Sequence, residues 1–316
     1  MELGDLPINA LRAIAVPFGL LWGSFLNVVI YRTPREESVV RPGSHCPACG
    51  KPVAPYDNIP VLSFLILRGR ARCCGAKLSW RYPLVELLGG AASLAVLELC
   101  VAPLGPHASA VRALVVYLAD FATILGLIAA AFIDFEFMYI PDGVTLGGTV
   151  LGILTASLRG GTILGAVVSA VLGFLVTYIP FIFLYRIVRG RAGMGMGDAK
   201  LLMMAGAFFG PYGIFWTLLA GAVQGALAAF VVWLVRGKIA LPQGVQEELE
   251  ELRKAAAAGD EEAKEALEED PLAQEQDPEE VGLAHFAFGP FLALAFIEFL
   301  LLGGAISDLA HQLFFL

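Results

Sequence analysis

Seven apolar runs recur along this chain of 316 residues, at about 11–31, 83–101, 111–133, 144–158, 163–186, 212–235 and 286–305, with a shorter eighth at 199–210. A helix needs about 20 apolar residues to cross the roughly 30 Å hydrocarbon core of a bilayer. Only helices and closed barrels satisfy every backbone polar group there. Hydrophobic residues make up 58% of the chain and the mean hydropathy is +0.74, against about 45–50% apolar residues in an ordinary soluble domain. The runs predict an all-α polytopic membrane protein with about eight transmembrane helices. Acidic residues precede the first run and no small-residue cleavage site follows it, so it is expected to be a retained span and not a signal peptide.

The basic residues orient such a bundle, because Lys and Arg in short loops stay on the cytoplasmic side. Eighteen of the 21 fall within 32–81, 186–200 and 236–264, and only Arg12, Arg112 and Arg159 lie on the other side. This alternation predicts a first span at 1–31, a cytoplasmic cysteine-containing loop at 32–82 and a membrane bundle at 83–236. An acidic, partly helical cytoplasmic insertion at 237–285 and a last span at 286–316 complete the chain. The insertion reads as two exposed helices, 246–258 and 260–270, joined at Gly259 and laced by Glu250/Lys254 and Asp260/Lys264, with a flexible Pro-containing acidic stretch after them. Residues 247–280 hold fifteen acids and three bases, so the net charge of −8 is local to this insertion and the remainder carries +4. The overall acidity therefore says nothing about substrate.

Two aspartates stand at span boundaries on that same side. Asp134 ends the run 127–133, and Asp198 follows the alternating Gly193, Gly195 and Gly197. An ionisable group at the edge of an apolar span is costly and marks a functional site by default. Two such carboxyls in one site share a proton, and the pair can then activate water and polarise a peptide carbonyl. The alternative for each is structural: a boundary acid paired with Lys or Arg at 134, a helix N-cap at 198. Asp142, next to Pro141 at a helix entry, reads as a cap, and Glu136 as a solvated neighbour.

The cysteines give a separate signal. Cys46-Pro-Ala-Cys49-Gly is a knuckle and Cys73-Cys74-Gly follows it, so four thiols in a cytoplasmic loop predict tetrahedral zinc in place of disulfides. Cys46, Cys49 and Cys74 are the expected ligands, with Cys73 or His45 as the fourth. Cys100 lies within a span and reads as a packing residue.

Taken together the blocks resemble the type IV prepilin peptidase family, the leader peptidase/N-methyltransferases. The resemblance covers nearly the whole chain: Gly23-Ser-Phe-Leu-Asn-Val-Val-Ile-Tyr-Arg32, Cys46-Pro-Ala-Cys49, Asn58-Ile-Pro60 and Arg81-Tyr-Pro-Leu-Val-Glu86. It continues with Ile133-Asp134 through Pro141-Asp142, Gly195-Met-Gly-Asp-Ala-Lys200 and Phe288-Gly-Pro-Phe291. It implies an intramembrane aspartyl endopeptidase of the bacterial inner membrane with Asp134 and Asp198 catalytic. Its substrates are then the basic leaders of type IV prepilins and type II secretion pseudopilins, cut at the cytoplasmic face. The resemblance further implies methylation of the new N-terminus with S-adenosylmethionine, for which Asn27, Arg81 and Glu86 are the cofactor-site candidates. Beside the lipid bilayer and these substrates no nucleic-acid partner is expected. Two departures stand out: the family's second cysteine pair is Cys-x-x-Cys, whereas here Ala71 holds the first of those positions, and the acidic insertion is long. A carboxylate-dependent membrane transporter, or a non-catalytic pilus-assembly scaffold, is the alternative reading.

Overall fold

A computed structural model describes residues 1–46, 48–190, 193–236, 242–269 and 287–314. It is helical, with isolated bridges but no strand among the described residues. The helices are α1 Ile8–Arg32, the single turn α2 Leu62–Ile66, α3 Arg81–Val96, α4 Ala110–Phe137, α5 Asp142–Thr155, α6 Ile163–Thr177 and α7 Tyr185–Arg189. There follow α8 Met196–Arg236, α9 Gln243–Ala257, α10 Glu261–Glu269 and α11 Gly289–Phe314. A wider-wound π turn, Leu97–Val101, and then a tighter 3-10 turn carry α3 on to Leu104, and a second π segment, Tyr178–Leu184, joins α6 to α7.

Among the described residues six helices, where about eight were expected, are long and apolar enough to cross a membrane: Ile8–Arg35, Arg81–Leu104, Ala110–Phe137, Ile163–Arg189, Met196–Val235 and Gly289–Asp308. The run expected to span at 144–158 folds as α5, whose 14 residues reach only about 21 Å. The run at 199–210 is the first arm of α8, which breaks at Gly210 with φ 71° and ψ −161°. Positive φ suits glycine, and Pro211 behind it has no N–H to continue the ladder. The chain then doubles back along α11. Phe209 and Trp216 both lie against Phe299, at 5.1 and 6.3 Å between ring centres. Farther on, Gly221 faces Leu292 and Gly225 faces Phe288 and Phe291. The first arm is thus a short rod ending inside the bundle, and only the second has the length of a span.

Small residues set the closest helix contacts, as expected where apolar lipid removes the hydrophobic drive between helices. Gly19 and Gly23 of α1 meet the backbone of α3 at Gly89 and Glu86, and Gly206 of α8 meets Ser169 of α6. Two apolar cores result, one of α1, α3 and α4, the other of α4, α8 and α11. The helix common to both, α4, is the most buried span, and Asp134 sits in its last turn. At the end of the bundle away from Asp134, Arg12 pairs with Glu98, Arg159 with Asp120, and Arg112 donates to the Leu158 carbonyl.

The insertion holds the two expected helices, with Gly259 at φ 98° between them. They are not simply solvated. Val245 and Leu249 of α9 are buried against Met138, just past α4, and Leu267 of α10. The Glu250–Lys254 pair forms at 3.4 Å, but Lys264 pairs with Glu261 instead of Asp260. Asp260 is engaged as the cap, its Oδ1 accepting the N–H groups of Glu262 and Ala263. The Pro-containing acidic stretch lies outside the described residues.

Candidate active site and cysteine cluster

Asp134 and Asp198 are both buried, at 6% and 8% exposure. Asp134 comes from the last turn of α4 and Asp198 from the first turn of α8. Asp134 Oδ2 accepts the N–H of Gly289, the first residue of α11, at 3.0 Å. Asp198 Oδ2 accepts the N–H of Gly195 at 3.1 Å. Buried Ile140 lies between the two glycine backbones: a methyl group at Gly197 would stand 2.9 Å from its Cβ, and one at Gly289 would stand 2.8 Å from its Cδ1. The glycines alternating before Asp198 therefore have two definite tasks, Gly195 donating a hydrogen bond and Gly197 clearing Ile140.

The cations nearby are engaged by other acids. Lys200, two residues past Asp198, pairs with Asp142 at 2.5 Å, and Arg81 pairs with Glu136 at 2.7 Å. These contacts correct two expectations. Pro141 is the residue at the α5 N-cap and Asp142 makes no capping bond, because its carboxylate is drawn to the ammonium. Glu136 is half-buried in an ion pair and is not merely solvated. Among the described residues neither Asp134 nor Asp198 has a cationic partner.

The four loop thiols converge, with all four sulfurs within 4.8 Å of one another. Cys46 and Cys74 lie 3.7 Å apart, Cys49 and Cys73 3.4 Å. A tetrahedron of thiolates about 2.3 Å from zinc has edges of roughly 3.8 Å, so the donor set fits that ion. His45 turns its ring instead to the Gly43 carbonyl and Arg32. The adjacent pair reaches the cluster because two knuckles share one backbone pattern. Gly50 N–H bonds to Cys46 O and Cys46 N–H to Lys51 O, just as Gly75 N–H bonds to Ala71 O and Ala71 N–H to Ala76 O. The bridges His45–Pro52 and Arg70–Lys77 flank them alike. Ala71 thus occupies the place of Cys46, and Cys73 supplies the missing sulfur from two residues on. Burial works against a thiolate at Cys46, but the N–H groups of Ala48 and Cys49 and the thiols of Cys73 and Cys74 outweigh it and lower Cys46 to about 7. Cys73, hydrogen-bonded first to Cys49 and then to Cys46, is pushed up to about 12.

Beside the cluster, α1, the loop and the start of α3 enclose a cavity of about 510 Å³ whose lining includes Asn27, Tyr31, Asp57 and Glu86. Asn27 Nδ2 donates to the Tyr82 carbonyl, while its buried Oδ1 has no partner. Glu86 Oε2 accepts the N–H of Val61 at 2.7 Å. Val61 stands at φ 62°, ψ −47° and Leu62 N–H bonds back to Pro60 O, the strained positive-φ form of the γ-turn. Arg81 does not line this cavity; it ties α3 to α4 through Glu136. Sequence reasoning missed Gly289, Ile140 and the γ-turn. The signals that could have found them are the Gly-Pro opening of the last span and a β-branched residue directly after Pro60.

A model described as the bacterial peptidase A24 N-terminal domain matches residues 17–99, and one described as the type IV leader peptidase family matches residues 121–230. The chain is similar to the prepilin leader peptidase/N-methyltransferase of Neisseria gonorrhoeae, 34% identical over 73% of this chain and 87% of the relative. The Pseudomonas putida protein of that name is 36% identical over 71% of this chain and 81% of the relative. The one from Myxococcus xanthus is 39% identical over 70% of this chain and 62% of the relative. No solved structure matches the chain. With both halves matched in order and the paired aspartates and cysteine loop in those halves, the chain belongs to the type IV leader peptidase family.

Proposed function

We propose that the chain is a prepilin leader peptidase that cleaves at the cytoplasmic membrane face through Asp134 and Asp198. The observation that carries this reading is that both carboxyls are buried beside backbone that packs on the same Ile140 and, among the described residues, have no cation, while Glu136 and Asp142 beside them are neutralised. Such a pair holds one proton between them. The ionised member takes a proton from water as its oxygen attacks the scissile carbonyl carbon. The protonated member gives its proton to the carbonyl oxygen. Collapse of the tetrahedral diol breaks the C–N bond: the leaving amine takes up the proton first removed from water, and one diol hydroxyl returns its proton to the second aspartate as the carbonyl re-forms. The basic residues concentrated at this end support a cytoplasmic placement in the bacterial inner membrane. Substrates are then prepilins and pseudopilins. The matched relatives carry peptidase and methyltransferase names, which favours neither a transporter nor a scaffold.

The same relatives support N-methylation of the new N-terminus, for which S-adenosylmethionine when bound supplies an electrophilic methyl group. The cavity between α1 and the cysteine loop fits it through the free buried Oδ1 of Asn27 and the carboxylate of Glu86. Cys46, Cys49, Cys73 and Cys74 would hold a structural zinc, which would tie together the part of the cavity wall that Cys46 and Cys73 line.

Replacing Asp134 or Asp198 by Asn tests the peptidase reading. Loss of prepilin cleavage by about 10²–10⁴ is expected for each, with membrane insertion retained. Cleavage by both variants at the parent rate overturns it.

A further inference from the structure

We propose that the outer face of the cysteine loop docks on an anionic lipid leaflet, the one from which its two flanking spans emerge. The single turn of α2 sorts its side chains by side: Ser63, Phe64 and Leu67 line the cavity. Leu62, Leu65 and Ile66 point away from it and are 56%, 58% and 73% exposed. Trp80, 74% exposed, packs its ring on Phe64 at 4.8 Å. Arg81 then opens α3, whose exposed Leu84 and Leu87 belong to a membrane span. Exposed apolar side chains therefore recur along the chain from the loop through Trp80 into the helix of a membrane span. An exposed apolar patch of this kind marks an interaction surface, and a tryptophan at a span entrance is characteristic of the membrane interface.

Charge identifies the partner. Arg70 and Lys77 sit opposite one another in a backbone bridge, where facing like charges repel. With Arg68 they lie on the segment that joins α2 to Trp80, and none of the three joins an ion pair among the described residues. Arg72, in the same loop, pairs with Asp57 at 2.8 Å. Unpaired bases around an apolar face match anionic headgroups over an acyl boundary. A protein partner has no comparable support, since the spans on either side of the loop, Ile8–Arg35 and Arg81–Leu104, tether it close to a bilayer. The proposal is independent of the peptidase reading.

The test uses the full chain with Trp22, Trp216 and Trp233 replaced by Phe, leaving Trp80 as the fluorophore, reconstituted in phosphatidylcholine/phosphatidylglycerol vesicles. Trp80 is expected to be quenched by lipid brominated near the headgroup end of its acyl chains and shielded several-fold from acrylamide. Replacing Arg70 and Lys77 by Ser, or raising salt, should weaken that shielding. Acrylamide access equal to that of free indole with no bromolipid quenching overturns the proposal. So does shielding that appears only as the protein is crowded in the membrane, which would mean that a second copy covers the face. If the triple variant does not fold, hydrogen exchange of 62–66 in the parent chain decides: protection should rise on transfer from detergent to anionic nanodiscs, and no change overturns the idea.

Discussion

The backbone N–H of Gly289 donates to Asp134 Oδ2 at 3.0 Å across 155 positions of sequence, so the last span locates a carboxylate of the fourth helix. A methyl group on that glycine would lie 2.6 Å from the same oxygen and 2.8 Å from Ile140 Cδ1. The neighbours here are a buried carboxylate and a buried side chain, so the carboxylate has to move. Gly289→Ala is expected to lower prepilin cleavage by about 10²-fold, the cost of misplacing a reacting group by roughly 1 Å. Gly304→Ala in the same helix, where nothing lies within 4 Å, should leave it unchanged. Cleavage assays on membranes with matched protein levels decide between them, and equal activity of the two variants would count against the Gly289 contact.

Asp142 is acidic, lies in the same stretch as Asp134 and pairs with Lys200 at 2.5 Å. Its side chain is 58% exposed, and exposed pairs contribute at most about 1 kcal/mol. Asp142→Asn should therefore lower cleavage by no more than about five-fold, the equivalent of ~1 kcal/mol. A rate as low as that of Asp134→Asn would give Asp142 a part in the chemistry.

What the sequence discloses about this fold follows from what each signal depends on. Apolar length is local, so the long spans were readable. Reversal at Gly210 depends on the φ of one residue, and a Gly-Pro pair inside an apolar run does not distinguish a kink from a hairpin. Asp134 and Asp198 were readable because a charge in an apolar run is costly wherever the chain goes. Their shared surroundings were not, because Gly289 and Ile140 approach from other segments. The destination of Lys200 was likewise undetermined: Asp198 is two residues away in sequence, but Asp142 lies in reach across the fold. In the cysteine loop the irregular spacing suggested broken geometry, whereas the repeated backbone pattern of the two knuckles shows that one sulfur has only changed its place on the same turn.

That repeat has a consequence for the metal. Cys73→Ser is expected to lower bound zinc, whereas His45→Ala is not, since the imidazole is turned to Gly43 and Arg32. Because Ala71 holds the position of Cys46 in the second knuckle, the double change Ala71→Cys with Cys73→Ala should restore binding. Protons compete with zinc for thiolates, so the affinity of the parent cluster falls as pH falls. Metal analysis of purified variants and chelator competition at mildly acidic and mildly alkaline pH provide the measurements. Zinc retained by Cys73→Ser but lost by His45→Ala would reverse the ligand assignment.

The contact between Glu86 and Val61 joins strain to the proposed methyl-transfer site. Val61 is β-branched at φ 62°, a conformation that costs about 1–3 kcal/mol unless its surroundings hold it. The 2.7 Å bond from its N–H to Glu86 Oε2 is the restraint. Glu86→Ala removes the acceptor and should destabilise the protein by about 1–3 kcal/mol. Glu86→Gln keeps an acceptor oxygen of the same reach and should stay near parental stability. Val61→Gly removes the side chain that makes positive φ costly and should raise stability by about 1 kcal/mol, the strain relieved less the greater chain entropy of glycine. Thermal unfolding in detergent reads these three shifts. Mass spectrometry of the mature pilin N-terminus then separates a structural from a functional carboxylate. If Glu86 serves the methyl-transfer cavity, Glu86→Gln leaves leader cleavage intact but yields an unmethylated amine; if it only restrains the turn, the amine remains methylated in a protein of unchanged stability.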